Sequence, residues 1–196
     1  MENRKCNVNR NTYETNIEIS LNIDGSGKNK IDTGIGFFNH MLQQISKHGH
    51  IDLQILAKGD IEVDYHHTVE DVGILLGQAI NDALGDKYGI IRYATTFTPM
   101  DEALSMVSLD ISGRPFLHFD VDFSGERTWN FEVQLVEEFF RAVAFNSGIT
   151  LHIKTLYGKN DHHIIESIFK SFGRALDAAT GIDSRIDGVL STKGIL

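Results

Sequence analysis

Cysteine, proline and tryptophan are all scarce in this chain of 196 residues, which has one cysteine, two prolines and one tryptophan. The single cysteine, Cys6, excludes an internal disulfide and a cysteine-based zinc site. The two prolines, Pro99 and Pro115, stand apart, and no low-complexity linker is present. At this length the chain can form one substantial core or two small halves.

Basic residues are also few: the chain has 18 lysines and arginines and 27 acidic residues, which gives a net charge of −9. This balance argues against nucleic acid as the main partner, because phosphate backbones require basic patches. No apolar run reaches the length that crosses a membrane, and residues 1–6 lack the apolar stretch of a signal peptide. We expect a cytoplasmic protein that binds neither nucleic acid nor membranes. A phosphorylated ligand would require a local cluster of arginine and lysine.

Histidine accounts for only 9 residues, yet four of them fall in a repeated motif. The sequence His66-His67-Thr68-Val69-Glu70 returns 96 positions later as His162-His163-Ile164-Ile165-Glu166. Imidazole and carboxylate groups together are ligands for divalent transition metals. The doubled motif therefore predicts two metals, or one site assembled from two halves.

Helix geometry indicates how each motif would distribute its ligands. Positions i and i+4 share a helix face, so His66 can lie with Glu70 and His162 with Glu166. Adjacent histidines point about 100° apart, so His67 is poorly placed to bind the metal that His66 binds. Each motif thus favours two ligands to one metal and one ligand to another. The alternative interpretation is a pair of polar helix starts with solvated histidines.

The repetition extends beyond the two motifs, since Gly77 and Ala79 match Gly173 and Ala175 at the same offset. We predict two tandem structural repeats, residues 1–88 and residues 89–196 with a C-terminal tail, meeting near residues 86–92. Each repeat is predicted to be a mostly antiparallel or mixed β-sheet with two helices packed on one face. The fold class is therefore α+β.

Hydrophobic periodicity places the elements of each repeat. In the first repeat it predicts strands at 17–23, 51–55 and 61–65, a helix that carries Phe38 to Ile45, and a helix from near His66. In the second repeat it predicts strands at 107–111, 117–123 and 149–153, a helix that carries Leu135 to Val143, and a helix that carries Ile165 to Leu176.

Five longer motifs are specific to one family: Gly36-Phe37-Phe38-Asn39-His40-Met41, Lys47-His48-Gly49, Asp64-Tyr65-His66-His67-Thr68-Val69-Glu70-Asp71, Ser112-Gly113-Arg114-Pro115 and Lys159-Asn160-Asp161-His162-His163. They resemble imidazoleglycerol-phosphate dehydratase over nearly the whole chain. That enzyme eliminates water from D-erythro-imidazole glycerol phosphate to give imidazole acetol phosphate in histidine biosynthesis. The resemblance implies a hydro-lyase whose repeats have the fold of the second domain of ribosomal protein S5.

The resemblance also implies two Mn(II) ions in each active site. One ion would be held by His40, His67, His162 and Glu166. The other would be held by His66, Glu70, His163 and the residue just before Phe139-Phe140.

That residue is Glu138 in this chain, where many family members have histidine. A carboxylate oxygen is an acceptable Mn(II) ligand, so we predict that Glu138 binds the second metal. In the alternative interpretation, Glu138 points to solvent and another group or water takes its place.

The resemblance further assigns catalytic and substrate-binding residues. Glu14 matches the family's candidate acid–base group, and the catalytic set includes the six ligands of the two motifs, His66, His67, Glu70, His162, His163 and Glu166. The residues implied to bind the substrate are Glu14, His40, His48, Arg92, Arg114, Lys170, Ser191 and Lys193. Four of these, Arg92, Arg114, Lys170 and Lys193, would contact the phosphate. Lys170 lies four residues after Glu166 and so emerges on the metal face of the same helix.

The resemblance implies a homo-oligomer of twenty-four subunits that assembles with metal, with sites at the subunit contacts. Two other functions fit a paired-metal motif. A di-metal phosphohydrolase would activate water and release free phosphate instead of a ketone. Metals that only join subunits would form closed sites and would not require Glu14.

Overall fold

The computed structural model describes residues 4–196, which form two mixed sheets, a short hairpin and four helices. The first repeat contains β1 (Lys5–Asn11), β2 (Thr15–Asn22), β3 (Asn29–Asp32), α1 (Gly36–His48), β4 (Asp52–Gly59) and α2 (His66–Leu84). The second contains β5 (Tyr93–Met100), β6 (Ala103–Asp110), β7 (Phe116–Asp120), β8 (Arg127–Thr128), β9 (Phe131–Glu132), α3 (Gln134–Ser147), β10 (Thr150–Tyr157) and α4 (Asp161–Thr180).

The two four-stranded sheets have the same topology. Their strand orders are β1-β2-β4-β3 and β5-β6-β10-β7. In each of these orders the first three strands pair antiparallel with their neighbours. The fourth strand, β3 or β7, pairs parallel with the third. The predicted α+β fold with mixed sheets is confirmed, and the recurrence of one strand order is the structural counterpart of the repeated sequence.

The sequence pattern predicts the strands that have one apolar face, but it does not predict three of the edge strands. In β2, Ile17, Ile19 and Leu21 are buried and alternate with polar residues. The sequence pattern gives no such signal for β1, β3 or β5, which have few fully buried residues. Each of these three lies at the edge of its sheet, where pairing on one side is enough to hold it.

The strand predicted at 61–65 is wrong, because the chain turns there. The backbone N–H of Val63 donates to the carbonyl oxygen of Asp60 at 2.8 Å, and Ile61 and Val63 are exposed. The segment connects the end of β4 to the start of α2, and of its apolar side chains only Tyr65 packs against the core. The predicted strand at 117–123 ends earlier, at Asp120, and the one at 149–153 continues to Tyr157.

The four helices form a layer between the two sheets. Helices α1 and α2 pack on the first sheet and α3 and α4 on the second, while α1 packs against α4 and α2 against α3. One continuous hydrophobic core therefore runs through both repeats. Within residues 4–196, no helix has both the length and the apolar character needed to span a membrane.

Candidate active site

Both His-His motifs begin a helix in the same way. Oδ1 of Asp64 accepts a hydrogen bond from the backbone N–H of His66 at 2.7 Å, and Oδ1 of Asn160 accepts one from that of His162 at 3.0 Å. Aspartate and asparagine are favoured at helix starts because their side chains satisfy free backbone N–H groups. The motif side chains consequently occupy the first turns of α2 and α4.

Three predicted metal ligands converge between the repeats. Nε2 of His40, on α1, lies 3.4 Å from Oε2 of Glu166, and Nε2 of His162 lies 3.2 Å from the same oxygen. Within residues 4–196, this is the one group of three or more potential ligands whose ligand atoms all lie within 4.8 Å of one another. Two imidazoles and a carboxylate form a donor set suited to a divalent transition metal.

Glu166 is kept ionised although it is buried, with 6% of its surface exposed. Burial alone would raise the pKa of its carboxyl group, but the hydrogen bond and positive charge of Lys170, together with His40, hold the pKa below its usual value. Nζ of Lys170 lies 2.7 Å from Oε1, so each carboxylate oxygen has its own partners. The cluster thus presents a charged, oriented oxygen to the two imidazoles.

The first motif forms a similar pair on α2, where Nε2 of His66 lies 3.7 Å from Oε2 of Glu70. The adjacent histidines point apart in both motifs. The rings of His66 and His67 are inclined at 87°, and those of His162 and His163 at 79°. In each helix, therefore, the second histidine presents its ring in a different direction from the first.

The helix contacts show which positions of the two repeats are equivalent. Gly173 on α4 approaches α1 so closely that a methyl group there would lie 2.7 Å from the carbonyl oxygen of Ile45. Gly77 on α2 approaches α3 in the same way, and its methyl group would lie 2.7 Å from the carbonyl oxygen of Val143. Ile45 and Val143 therefore occupy equivalent places in the two helix pairs.

This equivalence places Glu138 where His40 stands in the other repeat. His40 lies five residues before Ile45, and Glu138 lies five residues before Val143. Glu138 is partly exposed, and its Oε2 lies 3.6 Å from Nε of Arg141. Its position on α3 thus corresponds to that of a residue that contacts a motif glutamate.

The second histidine of the first motif contacts two carboxylates. Nδ1 of His67 lies 3.0 Å from Oδ2 of Asp60, and its Nε2 lies 3.8 Å from Oε1 of Glu14. The hydrogen bond to Asp60 raises the pKa of His67, and the charge of Glu14 adds to this. Sequence reasoning assigned no role to Asp60, which lies between the end of β4 and the segment mistaken for a strand.

The second motif repeats this arrangement. Nδ1 of His163 lies 2.7 Å from Oε2 of Glu102, and its Nε2 lies 3.8 Å from Oδ2 of Asp101. The hydrogen bond from His163, followed by one from the backbone of Asn160, lowers the pKa of Glu102 to about 2. Glu102 is therefore a carboxylate across the whole range in which imidazole titrates.

Glu14 lies at the tip of the β1–β2 hairpin, which side-chain hydrogen bonds hold in place. Oγ1 of Thr12 accepts hydrogen bonds from the backbone N–H groups of Glu14 and Thr15 at 3.1 and 3.0 Å. Oγ1 of Thr15 in turn donates to the buried Asp71 at 2.5 Å. The backbone of Glu14 is therefore fixed, while its carboxylate remains half exposed.

The structure divides the predicted phosphate-binding residues between two places. Arg92, Arg114 and Lys193 line a cavity of about 820 Å³, together with Ser191, which was predicted to bind substrate, and Arg185. Lys170 lies instead at the metal-ligand cluster.

Arg92 is buried, and its guanidinium group already has partners. Its Nε donates to Asp110 at 2.7 Å and its Nη1 donates to the carbonyl oxygen of Leu190 at 2.6 Å. Arg92 thus ties the C-terminal tail, which carries Ser191 and Lys193, to the second sheet.

His48 lies among cations beside the cluster. Burial lowers the pKa of His48, and the positive charges of Lys170 and Arg174 lower it further. Its imidazole is therefore neutral at physiological pH and can donate or accept a hydrogen bond. Sequence reasoning did not single out Arg174, whose position becomes informative only once α4 has packed against α1 and β5.

A smaller cavity of about 370 Å³ opens at the cluster, lined by Gly36, Phe37, His40, Trp129, Asn130 and His162. Trp129, the only tryptophan, is 87% exposed at the tip of the β8–β9 hairpin and has a φ of 57°. Phe131, in the same hairpin, packs with its ring centroid 5.1 Å from that of Phe37. No pattern in the sequence indicates that this hairpin reaches the site.

The fold is a duplicated α+β fold, and two imidazoles and a carboxylate meet between its repeats. These features are typical of an enzyme with a histidine–carboxylate site. The sequence profile of imidazoleglycerol-phosphate dehydratase matches residues 33–176. The chain belongs to the imidazoleglycerol-phosphate dehydratase family, whose members are hydro-lyases of histidine biosynthesis.

Relatives and solved structures cover almost the full length. The chain is 71% identical to the enzyme of Alkaliphilus metalliredigens over 187 residues (95% of this chain, 96% of the relative) and 64% identical to that of Acetivibrio thermocellus over 193 residues (98% and 99%). The crystal structure of the Staphylococcus aureus enzyme superimposes with a TM-score of 0.84 at 42% identity (91% and 99% covered). That of the Pyrococcus furiosus enzyme also gives 0.84, at 38% identity (96% and 100% covered).

Proposed function

We propose that this dehydratase uses two Mn(II) ions per active site to convert D-erythro-imidazole glycerol phosphate to imidazole acetol phosphate. The convergence of His40, His162 and Glu166 carries the metal proposal. His67 would complete this first ligand set. By internal equivalence the second set consists of Glu138, His66, Glu70 and His163.

The chemistry of the donors fits Mn(II). Each set would offer imidazole nitrogen and carboxylate oxygen, a combination that suits manganese better than a thiolate-seeking metal. Glu166 is ionised and already holds one oxygen toward both imidazoles of the first set. In the second set the extra negative charge of Glu138 offsets the loss of one imidazole ligand.

Assembly is part of the proposal, because neither four-residue set closes within one chain. His67 lies outside the group formed by His40, His162 and Glu166, and the residues of the second set form no such group within residues 4–196. We propose that a neighbouring subunit supplies the missing histidine to each set, in a particle of twenty-four subunits. Metal binding would then favour assembly by mass action.

The reaction requires a proton to leave carbon and a hydroxyl group to leave the adjacent carbon. Bound Mn(II) would act as a Lewis acid toward the substrate imidazole and so lower the energy of negative charge on that ring. Glu14 would accept the carbon-bound proton at its exposed carboxylate, which a fixed backbone holds 3.8 Å from His67. Glu14, as the acid–base group, would return this proton to the departing hydroxyl, which leaves as water, and the resulting enol becomes the ketone.

Cations near the site would bind the substrate phosphate. Lys170 already lies at the cluster, and Arg174 and the neutral His48 lie beside it. Arg114, Ser191 and Lys193 would contribute from the cavity at the C-terminal tail. A guanidinium such as that of Arg114 suits phosphate because its N–H groups match two oxygens.

The test is a metal titration followed by product analysis. Chelation should abolish turnover of imidazole glycerol phosphate, and Mn(II) should restore it at two ions per subunit. Sedimentation of the same samples should show larger particles with metal. Release of free phosphate would indicate a phosphohydrolase, and full turnover by stripped protein would exclude the metal mechanism.

A further inference from the structure

The second histidine of each motif forms a hydrogen bond with a carboxylate through Nδ1. Asp60 lies 3.0 Å from Nδ1 of His67, and Glu102 lies 2.7 Å from Nδ1 of His163. The two carboxylates come from different local structures. Asp60 is in the turn before α2, and Glu102 is in the turn between β5 and β6.

Further hydrogen bonds hold the carboxylate of Glu102 and the backbone of Asp60 in place. Oε1 of Glu102 accepts hydrogen bonds from the backbone N–H groups of Lys159 and Asn160 at 3.2 and 2.8 Å, which leaves Oε2 for His163. The backbone N–H of Asp60 donates to the carbonyl oxygen of Glu14 at 3.1 Å. The direction of the Glu102 carboxylate therefore does not depend on the imidazole, and the backbone that carries Asp60 is fixed independently of His67.

A hydrogen bond at Nδ1 decides which imidazole nitrogen is available. A carboxylate only accepts, so the neutral ring must carry its proton on Nδ1 and leave a lone pair on Nε2. Histidines that bind metals usually donate their other ring N–H to a carboxylate or carbonyl group, which fixes the tautomer and the ring orientation. Two unrelated turns supplying the same contact argue against a chance ion pair.

We propose that Asp60 and Glu102 are positioning residues that hold His67 and His163 with Nε2 presented to the metals. The inference rests on the proposed two-metal function. It assigns Asp60 to the metal of His40, His162 and Glu166, and Glu102 to the metal of His66, Glu70 and Glu138. Each acid contacts Nδ1 of its histidine and would act on the metal only through that histidine.

The first experiment needs neither metal nor a variant. Nitrogen-15 NMR of metal-free wild-type protein, at a pH where the imidazoles are neutral, reports which ring nitrogen carries the proton. We expect His67 and His163 to carry it on Nδ1. A dominant Nε2–H form at either histidine would overturn the proposal for that residue.

The second experiment measures Mn(II) binding by calorimetry in assembled protein. Asp60→Ala and Glu102→Ala should each weaken one of the two sites by about 10–100-fold, and the double variant should weaken both. Asp60→Asn and Glu102→Gln provide milder versions if an alanine variant folds poorly. Glu62→Gln is the matched control, since it removes a charge from the same exposed turn as Asp60.

The outcomes separate this inference from the two-metal proposal. If wild type fails to bind two ions, the two-metal function fails. If wild type binds two ions and the Asp60 and Glu102 variants bind as tightly as Glu62→Gln, the metal function stands and the positioning role is wrong. Loss of folding in all variants, judged by circular dichroism, would leave the NMR result to decide.

Discussion

Nε2 of His40 lies 3.4 Å from Oε2 of Glu166, although the two residues are separated by 126 positions. The contact exists because α1 of the first repeat packs against α4 of the second. The cluster therefore depends on the junction between the repeats, and a change in that junction should alter metal binding as well as stability.

Replacing Glu138 tests the second ligand set. Glu138→His should keep two Mn(II) ions and normal turnover, because imidazole is the ligand that His40 supplies from the equivalent place in the other repeat. Glu138→Ala should weaken one site by about 10–100-fold while the His40–His162–Glu166 site stays occupied. Glu137→Ala is the matched control, since Glu137 also forms an ion pair with Arg141 but has no equivalent in the other repeat's cluster. A Glu138→Ala protein that titrates like this control would show that Glu138 is only a surface carboxylate.

Replacing Glu14 tests the acid–base role. Glu14→Gln keeps the shape of the side chain but cannot accept a proton, so turnover should fall on the order of 10²-fold or more. Metal content and particle size should stay unchanged. Glu18→Gln on the exposed side of β2 removes the same charge and should have little effect. Near-normal turnover of Glu14→Gln would reduce Glu14 to a positioning residue.

The glycine contacts predict a cost for added volume. Gly77→Ala and Gly173→Ala should each destabilise the protein by about 1–3 kcal/mol, because a methyl group would collide with the backbone of the facing helix. Gly36→Ala has no atom within 4 Å of the added methyl group and should cost much less. Denaturant unfolding measures all three, and equal stabilities would mean that the helices can separate freely.

Trp129 should carry backbone strain, since its φ of 57° lies in the left-handed region that glycine adopts freely. Trp129→Gly removes the strain, whereas Trp129→Ala removes the ring and keeps the strained Cβ. The glycine variant should therefore be more stable than the alanine variant by about 1 kcal/mol. Thermal unfolding compares the pair directly, and a more stable alanine variant would show that this φ is not strained.

The lowered pKa of the Glu102 carboxyl group should make the stability of the folded protein depend on pH. The pKa of this group falls from 4.5 to about 2 on folding, so its stabilising contribution is fully present above pH 4.5 and is lost as the pH falls toward 2. Wild type should therefore be more stable than Glu102→Gln at neutral pH, and the difference should shrink between about pH 4.5 and 2. Metal-free protein should be used, and a difference that stays constant over this range would contradict the cause given for the shift.

Residues whose pattern repeats along one helix or one strand could be predicted from the sequence. The i, i+4 spacing placed His162 with Glu166, and alternation placed Ile17, Ile19 and Leu21 in the core. These predictions succeed because a helix or strand fixes the geometry of its own neighbours. The strand predicted from the apolar alternation at 61–65 does not form, because no neighbouring strand pairs with this segment.

Contacts made across the fold could not be predicted in this way. The bonds of Asp60 to His67 and of Glu102 to His163 join loops to helices, and no sequence spacing encodes them. Trp129 reaches the cluster only because its hairpin packs on α1 through Phe131.

The sequence by itself determined the duplication, the apolar faces of the central strands and helices, and the pairing of each first histidine with its glutamate. These follow from local periodicity, which every helix and strand must obey. The family resemblance had implied His40 and Glu138 as ligands. Only the tertiary structure showed that His40 meets the second motif within one chain, that Glu138 stands in the equivalent place, and that two turns form hydrogen bonds with the remaining histidines. Those relations arise because each helix packs against a helix of the other repeat, and side chains far apart in the chain then share one buried surface.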